Sequence, residues 1–268
     1  MFLHRLVSLS CASCELHISI ISWFAVWSLE HFSLVIERER ERERERERLR
    51  WKMGDDALDR DARIKLSIGT KQPGDADGLF NNPLGLAFDH HRGLLFVTEG
   101  RRVQVFSCDD RDDDGSFVSK FGSRGDQPGQ FKSPDSIAID HDHDRILVTD
   151  RINHRVHSWS LSEQSLLSCI GRRGTGALEF QSPFGIAIDK HHHRIVITDI
   201  FNYRLAFLSS IDLSFLFEVG KRGSQPGEFN CPTGIAIDDD RDRIIVCDKI
   251  NHRVQVLSSI DGSFLFEF

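Results

Sequence analysis

SPFGIAID, residues 182–189, is the stretch that decides the fold, because near copies of it occur three more times along the chain. The copies are NPLGLAFD at 82–89, SPDSIAID at 133–140 and CPTGIAID at 231–238. Their prolines are separated by 51, 49 and 49 residues, and the four are Pro83, Pro134, Pro183 and Pro232. Self-similarity at a fixed period of this size indicates a repeat architecture.

Three further apolar runs follow the opening run of each repeat. In the repeat that starts near residue 182 they are IVITD at 195–199, the run after Asn202, and FLFEV at 215–219. Each repeat thus holds four short β-forming runs, about one per 12 residues, and none has a helical period. Four strands in each repeat of about 40 to 50 residues are typical of propeller blades. We predict an all-β fold, a β-propeller with four complete blades at 79–121, 131–170, 180–219 and 229–268.

The strands and the linkers between blades carry recognisable motifs. The opening strand is apolar at nearly every position, as expected for an inner strand buried on both faces. Segments of the form G-x-x-G-x-x-P-G-x-F join blades at 122–131 and 220–229. Glycine in these linkers suits a backbone with positive φ.

These motifs together resemble NHL repeats over roughly residues 61–268. The matching elements are P-x-G-I-A-I-D, the V-x-D end of the second strand, N-H-R-V-Q-V at 251–256, and the linker motif. The resemblance implies a propeller that acts as a binding platform. Known members form six-bladed propellers at the C-terminus of tripartite-motif ubiquitin ligases and related translational repressors, and bind protein or RNA.

The strand count is lower than a six-bladed ring requires. Four complete blades supply sixteen strands of about twenty-four. The run RIKLSIG at 63–69 is predicted to be the last strand of a preceding blade. We therefore expect an incomplete six-bladed ring, which leaves three explanations: a truncated sequence (favoured), a partner that completes the ring, or a smaller ring.

Residues 1–60 are interpreted as a leader outside the propeller. Glu-Arg occurs six times in succession at 37–48. This low-complexity run is what a GAGAGA tract encodes, so the leader is interpreted as an extended gene model, with Met53 as the start, or as a disordered segment. The apolar stretch Ile18–Leu29 leaves a signal peptide as the alternative, although a small-residue cleavage site does not follow it. It is shorter than the about 20 residues of a membrane span, so we expect a cytoplasmic protein without membrane contact.

Charge and cysteine content exclude further classes. The formal net charge is -7, which argues against a protein that coats nucleic acid, and we expect no DNA partner. The cysteines within the repeats occupy unrelated positions, so we interpret them as reduced thiols and not as a disulfide framework or a metal cage. We expect no cofactor and no catalytic residue.

Acidic and basic residues recur at fixed positions around the third strand. We predict that each Asp pairs with an Arg or caps the turn and so sets blade geometry. The predicted structural pairs are Asp150 with Arg155, Asp199 with Arg204, and Asp248 with Arg253. The first blade departs from this pattern, with Glu99 followed by Arg101 and Arg102.

Histidines are concentrated in the turns between first and second strands. The set is His90, His91, His141, His143 and His191–His193. We expect equivalent turns of different blades to point away from one another, so that their histidines do not converge, and we predict no metal site. The alternative is a ring of carboxylates near the axis that could hold Ca²⁺, formed by Asp89, Asp140, Asp189 and Asp238.

Antiparallel strands send alternate loops to opposite faces of the disc. The linkers and the loops between second and third strands should share a basic face, and the other loops an acidic face that includes Asp109, Asp110 and Asp112–Asp114. The predicted binding residues on the basic face are Arg101, Arg102, Arg124, Arg151, Arg172, Arg173, Phe201, Tyr203, Lys221, Arg222 and Lys249.

We predict a non-catalytic platform that binds a protein partner through this basic face. The resemblance implies a substrate-recognition role in a ubiquitin-ligase system, although the chain has no RING-type cluster of paired Cys and His ligands. Single-stranded RNA is the alternative partner, since Phe201 and Tyr203 add aromatic groups to the basic face. A metal-dependent propeller enzyme, a lyase or a hydrolase, is the second alternative.

Overall fold

The computed structural model describes residues 68–69, 72–108 and 115–268, and residues 68–268 belong to one compact unit. The predicted all-β propeller of four-stranded blades is confirmed in this unit. The predicted leader, the acidic run at 109–114 and most of the predicted strand 63–69 lie outside the described residues.

Each blade is an antiparallel four-stranded sheet whose strands are neighbours in chain order. The first blade contains β1 (Pro83–Asp89), β2 (Leu94–Glu99), β3 (Arg102–Ser107) and β4 (Phe117–Phe121). The two-residue strands β5 (Ser123–Arg124) and β6 (Gln130–Phe131) pair in parallel within the first linker. The second blade contains β7 (Pro134–Asp140), β8 (Arg145–Asp150), β9 (Arg155–Ser160) and β10 (Leu166–Ile170).

The second half of the chain repeats this pattern. The second linker holds the parallel pair β11 (Arg172–Arg173) and β12 (Glu179–Phe180). The third blade contains β13 (Pro183–Asp189), β14 (Arg194–Asp199), β15 (Arg204–Ser209) and β16 (Phe215–Val219). The fourth contains β17 (Pro232–Asp238), β18 (Arg243–Asp248), β19 (Arg253–Ser258) and β20 (Phe264–Glu267). Single-turn 3₁₀ helices occupy four of the connecting loops, at His141–His143, Ile200–Asn202, Asp239–Arg241 and Lys249–Asn251.

The core lies between the blades. The inner strands β1, β7, β13 and β17 lie side by side in that order, and one apolar cluster fills each of the three junctions. The inner strand of the first blade differs from the expected burial, because Leu84, Leu86 and Phe88 are 46%, 45% and 38% exposed. No other described blade packs against the side of β1 that faces away from β7, whereas β7 and β13 each lie between two inner strands.

One phenylalanine of each linker packs in the core between the two blades that the linker joins. Phe131, Phe180 and Phe229 are at most 1% exposed. Gly171 begins the second linker with φ +100, and a Cβ atom there would come within 2.6 Å of the Phe180 ring. The linker motif therefore needs glycine at its start both for the backbone angle and for close contact with the ring.

Threonines near the ends of second strands connect neighbouring blades. The Thr149 hydroxyl donates to the carbonyl oxygen of Phe184 at 2.6 Å, and that of Thr198 to Thr233 at 2.7 Å. Thr98 donates likewise to Asp135 at 3.2 Å. The fourth blade has Cys247 at this position. The threonine directly before the last residue of the second strand thus bonds across a junction between blades.

Candidate functional site

The linkers and the loops between second and third strands lie on one side of the blades, here called the linker face. Asn153 Nδ2 donates to the carbonyl oxygen of Gly125 at 2.9 Å, which joins a loop to a linker. Asn202 bonds in the same way to Gly174 at 2.9 Å. The predicted basic face therefore corresponds to the linker face.

The recurrent arginine at the start of the third strand holds the linker in place. The Arg204 guanidinium donates to the carbonyl oxygens of Thr175, Gly176 and Glu179 at 3.1, 3.1 and 2.5 Å. Arg155 and Arg253 make the same three bonds to their own linkers. A planar guanidinium with five donors suits this task, since it can satisfy several carbonyl groups at once.

The aspartate that ends the second strand is buried beside this arginine in two of the predicted pairs. Asp199 lies 3.3 Å from Arg204 Nε, and Asp248 lies 2.9 Å from Arg253 Nε. Asp199 also accepts from the backbone N–H of Gln181 at 2.7 Å. Burial raises the pKa of Asp199 in spite of these hydrogen bonds. Both pairs stabilise the blade and leave neither charge available to a partner.

The predicted pair of Asp150 and Arg155 is replaced by a three-residue arrangement. Arg155 Nε donates to His157 Nε2 at 3.1 Å, and that nitrogen lies 3.7 Å from Asp150 Oδ2. The equivalent of His157 is Gln104 in the first blade and Gln255 in the fourth. Burial acts to raise the pKa of Asp150, but the nearby His157 side chain and hydrogen bonds from the backbone N–H groups of Ser133 and Lys132 outweigh it and lower that pKa. A histidine in place of glutamine therefore moves the arginine away from the aspartate.

His157 should make the stability of the protein depend on pH. Burial lowers the pKa of His157 below its ordinary 6.5, while Asp150 acts in the opposite direction. The unfolded chain then binds the proton more tightly, so stability is full above about pH 6.5 and falls as the pH is lowered through it. We expect His157→Gln to flatten the profile of unfolding free energy between about pH 7.5 and 5.5.

Urea denaturation at several pH values measures this effect. His154, whose pKa is also lowered by burial, is present in both proteins, so its contribution cancels in the comparison. Parallel pH profiles for the two proteins would contradict a role for His157.

Four of the predicted binding residues are instead engaged within the chain. Arg102 pairs with Glu99 and donates to carbonyl oxygens of the preceding segment, so it is the first-blade equivalent of Arg155. Its predicted binding role is therefore corrected to a structural one. Arg151 pairs with Asp135 at 2.5 Å. Arg172 and Lys221 pair with Glu179 and Glu228 within their linkers, but their side chains are 81% and 78% exposed.

The other predicted basic residues form no ion pair with another described residue. All five are exposed on the linker face: Arg101, Arg124, Arg173, Arg222 and Lys249. Within the part of the chain that the structure describes, this surface therefore keeps positive charge that no ion pair neutralises.

The structure brings the predicted aromatic residues and two of the basic residues together at the third blade. An open groove of about 380 Å³ is lined by Phe201, Tyr203, Lys221, Arg222 and Glu218, among others. The Arg222 guanidinium lies over the Tyr203 ring, 5.3 Å from its centroid. The groove combines apolar surface with positive charge.

Two apolar loop residues belong to this surface and were not predicted from the sequence. Ile152 and Ile250 occupy the position of Phe201 in their blades, directly before the recurrent asparagine, and the three are 50%, 54% and 59% exposed. The available signal was an apolar residue in each loop tip, where a polar residue is typical. Three blades therefore present one apolar tip each on the linker face.

On the opposite side of the blades, the turns between first and second strands converge more than we expected. The rings of His91 and His141, from adjacent blades, have centroids 4.6 Å apart. His141 Nε2 lies 3.9 Å from Asp89 Oδ1. The expectation that these turns point away from one another is wrong, because they follow inner strands that lie side by side.

The aspartates that end the first strands are largely used by their own turns. Asp89 accepts backbone hydrogen bonds from His91 and Arg92 at 2.9 and 3.3 Å. Asp140 contacts Arg145 at 2.6 Å, and Arg145 also donates to the Ser210 carbonyl of the next blade. These aspartates cap turns and take part in contacts between blades.

None of the helices in the described part of the chain has the length and apolar character required to cross a bilayer.

Comparisons with known proteins agree with this architecture. The family described as NHL repeat matches residues 229–257, and the family described as 6-bladed beta-propeller matches residues 87–171. No curated protein matches the sequence. Hydrazine synthase of Kuenenia stuttgartiensis has a similar fold, with a TM-score of 0.54 and 13% identity over 74% of this chain.

The chain spans about half, 51%, of the hydrazine synthase chain, and at this identity the likeness is one of fold alone. The repeated motifs, the four blades and the two family matches show a β-propeller that contains an NHL repeat at residues 229–257.

Proposed function

We propose that the protein is a non-catalytic platform whose linker face binds an acidic segment of a protein partner. The observation that carries this proposal is the repeated apolar tip, Ile152, Phe201 and Ile250, on the face whose five exposed basic residues form no ion pair with another described residue. Exposed apolar residues next to unpaired charge are typical of protein-binding surfaces.

The positive charge of the linker face determines that the bound segment of the partner is acidic. Arg173, Arg222 and Lys249 are exposed near the third and fourth blades. Carboxylates of a partner would pair with them, while its apolar side chains would cover Phe201 and Ile250. Complementary charge of this kind raises the association rate and excludes basic competitors.

The aromatic residues favour a protein partner over single-stranded RNA. RNA recognition uses open aromatic faces on which bases stack. Arg222 already lies over the Tyr203 ring, which leaves Phe201 as the aromatic side chain most open to solvent in the groove. A role in substrate recognition for ubiquitination would use this same surface.

Binding of a defined probe tests the proposal. We expect a fluorescent peptide of about 12 residues that alternates Glu or Asp with Leu or Phe to bind the full chain, with affinity that decreases as salt increases. Arg173→Glu combined with Arg222→Glu should weaken it at least about tenfold, since like charges then face each other. Phe201→Ser combined with Ile250→Ser should weaken it by loss of apolar contact.

The opposite side of the blades supplies the matched control. Ile211 and Ile260 are 70% and 64% exposed there, so Ile211→Ser combined with Ile260→Ser removes equivalent apolar area from another surface. This control should bind the peptide as the wild type does. Equal loss of peptide affinity in the Phe201/Ile250 and Ile211/Ile260 double variants, or no peptide binding by the wild type, would overturn the proposal. Binding of oligouridine but not of the peptide, with the same sensitivity to Arg222, would assign the surface to RNA.

A further inference from the structure

Three metal-ligating side chains meet at the junction of the first and second blades, opposite the linker face. They are Asp89, His91 and His141, and one ligand atom of each lies within 4.8 Å of the others. Asp89 is fully buried, His91 is exposed, and His141 is half-buried. Two different blades therefore contribute to one cluster at the edge of the propeller interior.

The repeat itself explains why this junction differs from the next. His91 follows Asp89 by two positions, and His141 comes directly after the equivalent aspartate, Asp140. Inner strands lie side by side, so the turn after each strand faces the turn after its neighbour. At the next junction Lys190 occupies the position of His141. The positively charged Lys190 side chain therefore stands where the first junction has a potential metal ligand.

We propose that Asp89, His91 and His141 form a binding site for a divalent transition-metal ion of the zinc class. Two imidazoles and one carboxylate are a ligand set that Zn²⁺ and its first-row neighbours use, with a further position for water. Mg²⁺ and Ca²⁺ prefer sets composed of oxygen atoms, so the site discriminates against them.

Small movements bring the three groups to metal-ligand distances. Zinc ligands lie about 2.0 to 2.2 Å from the ion. Asp89 Oδ1 and His141 Nε2 are 3.9 Å apart, close to the separation that two ligands of one ion require. The His91 side chain is exposed, and its ring already contacts that of His141.

The groups around the cluster hold the carboxylate ligand in position. The backbone N–H of His91 donates to Asp89 Oδ1 at 2.9 Å, and Arg92 contacts Asp89 Oδ2 at 3.1 Å. Arg92 also lies 3.7 Å from Asp144, so its positive charge is shared between two carboxylates. Such outer contacts orient a metal ligand.

Titration of the full chain with zinc chloride, followed by calorimetry, tests the site. We expect one Zn²⁺ ion per chain, and d–d absorption bands when Co²⁺ is substituted. His141→Lys introduces the residue that occupies this position at the next junction. It should weaken Zn²⁺ binding at least about tenfold, because one of the three direct ligands is lost. His91→Ala should do the same, so the result does not depend on one variant.

His193→Asn is the control, because His193 is exposed in the equivalent turn of the third blade and has a left-handed backbone, φ 51, that asparagine adopts readily. It should bind Zn²⁺ as the wild type does. No stoichiometric binding, equal binding by His141→Lys and wild type, or loss only in His193→Asn would overturn the proposal. Unchanged thermal unfolding without metal shows that the variants are folded.

Discussion

Replacement of Phe180 with alanine is expected to lower the free energy of unfolding by about 3 to 5 kcal/mol. Phe180 is 1% exposed and packs in the cluster between the second and third blades with Leu147, Val156 and Ile195. The Phe180 ring fills the space directly beside Gly171, so its removal leaves a cavity there. The loss is a large part of the roughly 5 to 15 kcal/mol that stabilise a typical domain.

Urea denaturation followed by tryptophan fluorescence measures this loss, with Phe201→Ala as the matched control. Phe201 is 59% exposed, so the same chemical change there should alter the unfolding free energy by no more than about 0.5 kcal/mol. Equal losses for the two variants would show that the linker phenylalanine does not anchor the blade junction.

Arg204→Ala is expected to cost about 3 to 5 kcal/mol, because it leaves a buried carboxylate without its counter-charge. Arg204 is 3% exposed and also holds the carbonyl oxygens of Thr175, Gly176 and Glu179. Burial raises the pKa of Asp199 even while Arg204 is present, which shows how poorly the site solvates a negative charge. Removal of the arginine therefore destabilises both the aspartate and the linker.

A double-mutant cycle with Asp199→Asn separates these two contributions. In the Asp199→Asn background, Arg204→Ala should cost less, because no buried charge is left behind. Arg222→Ala is the control for loss of an exposed arginine and should change stability by about 0.5 kcal/mol or less. Equal stability of Arg204→Ala and Arg222→Ala would contradict the structural role of the recurrent arginine.

The strands could be predicted because each repeat carries the same local signals four times. The inner strands begin at the four prolines and end at Asp89, Asp140, Asp189 and Asp238, as the motif indicates. Local alternation of apolar runs and turn residues determines strands of this kind, and the repeat confirms each of them. The sorting of loops between two faces follows from antiparallel order alone.

The roles of individual side chains could not be predicted in the same way. The position of its loop predicts that Arg102 lies on the binding surface, yet it holds the preceding segment as Arg155 holds its linker. The pairing of Arg155 with Asp150 is prevented by His157, which lies two positions after the arginine on the same strand. Such outcomes are decided by which groups compete for one buried charge.

The sequence by itself determined the repeat, the four-stranded blades and the side on which each loop lies, because these depend on local pattern and chain order. Tertiary structure decided which residues meet between blades: Phe180 against its junction, Phe201 with Arg222 at one groove, and His91 with His141 across two turns. Those contacts depend on how closely adjacent inner strands pack, and a linear pattern does not contain that distance.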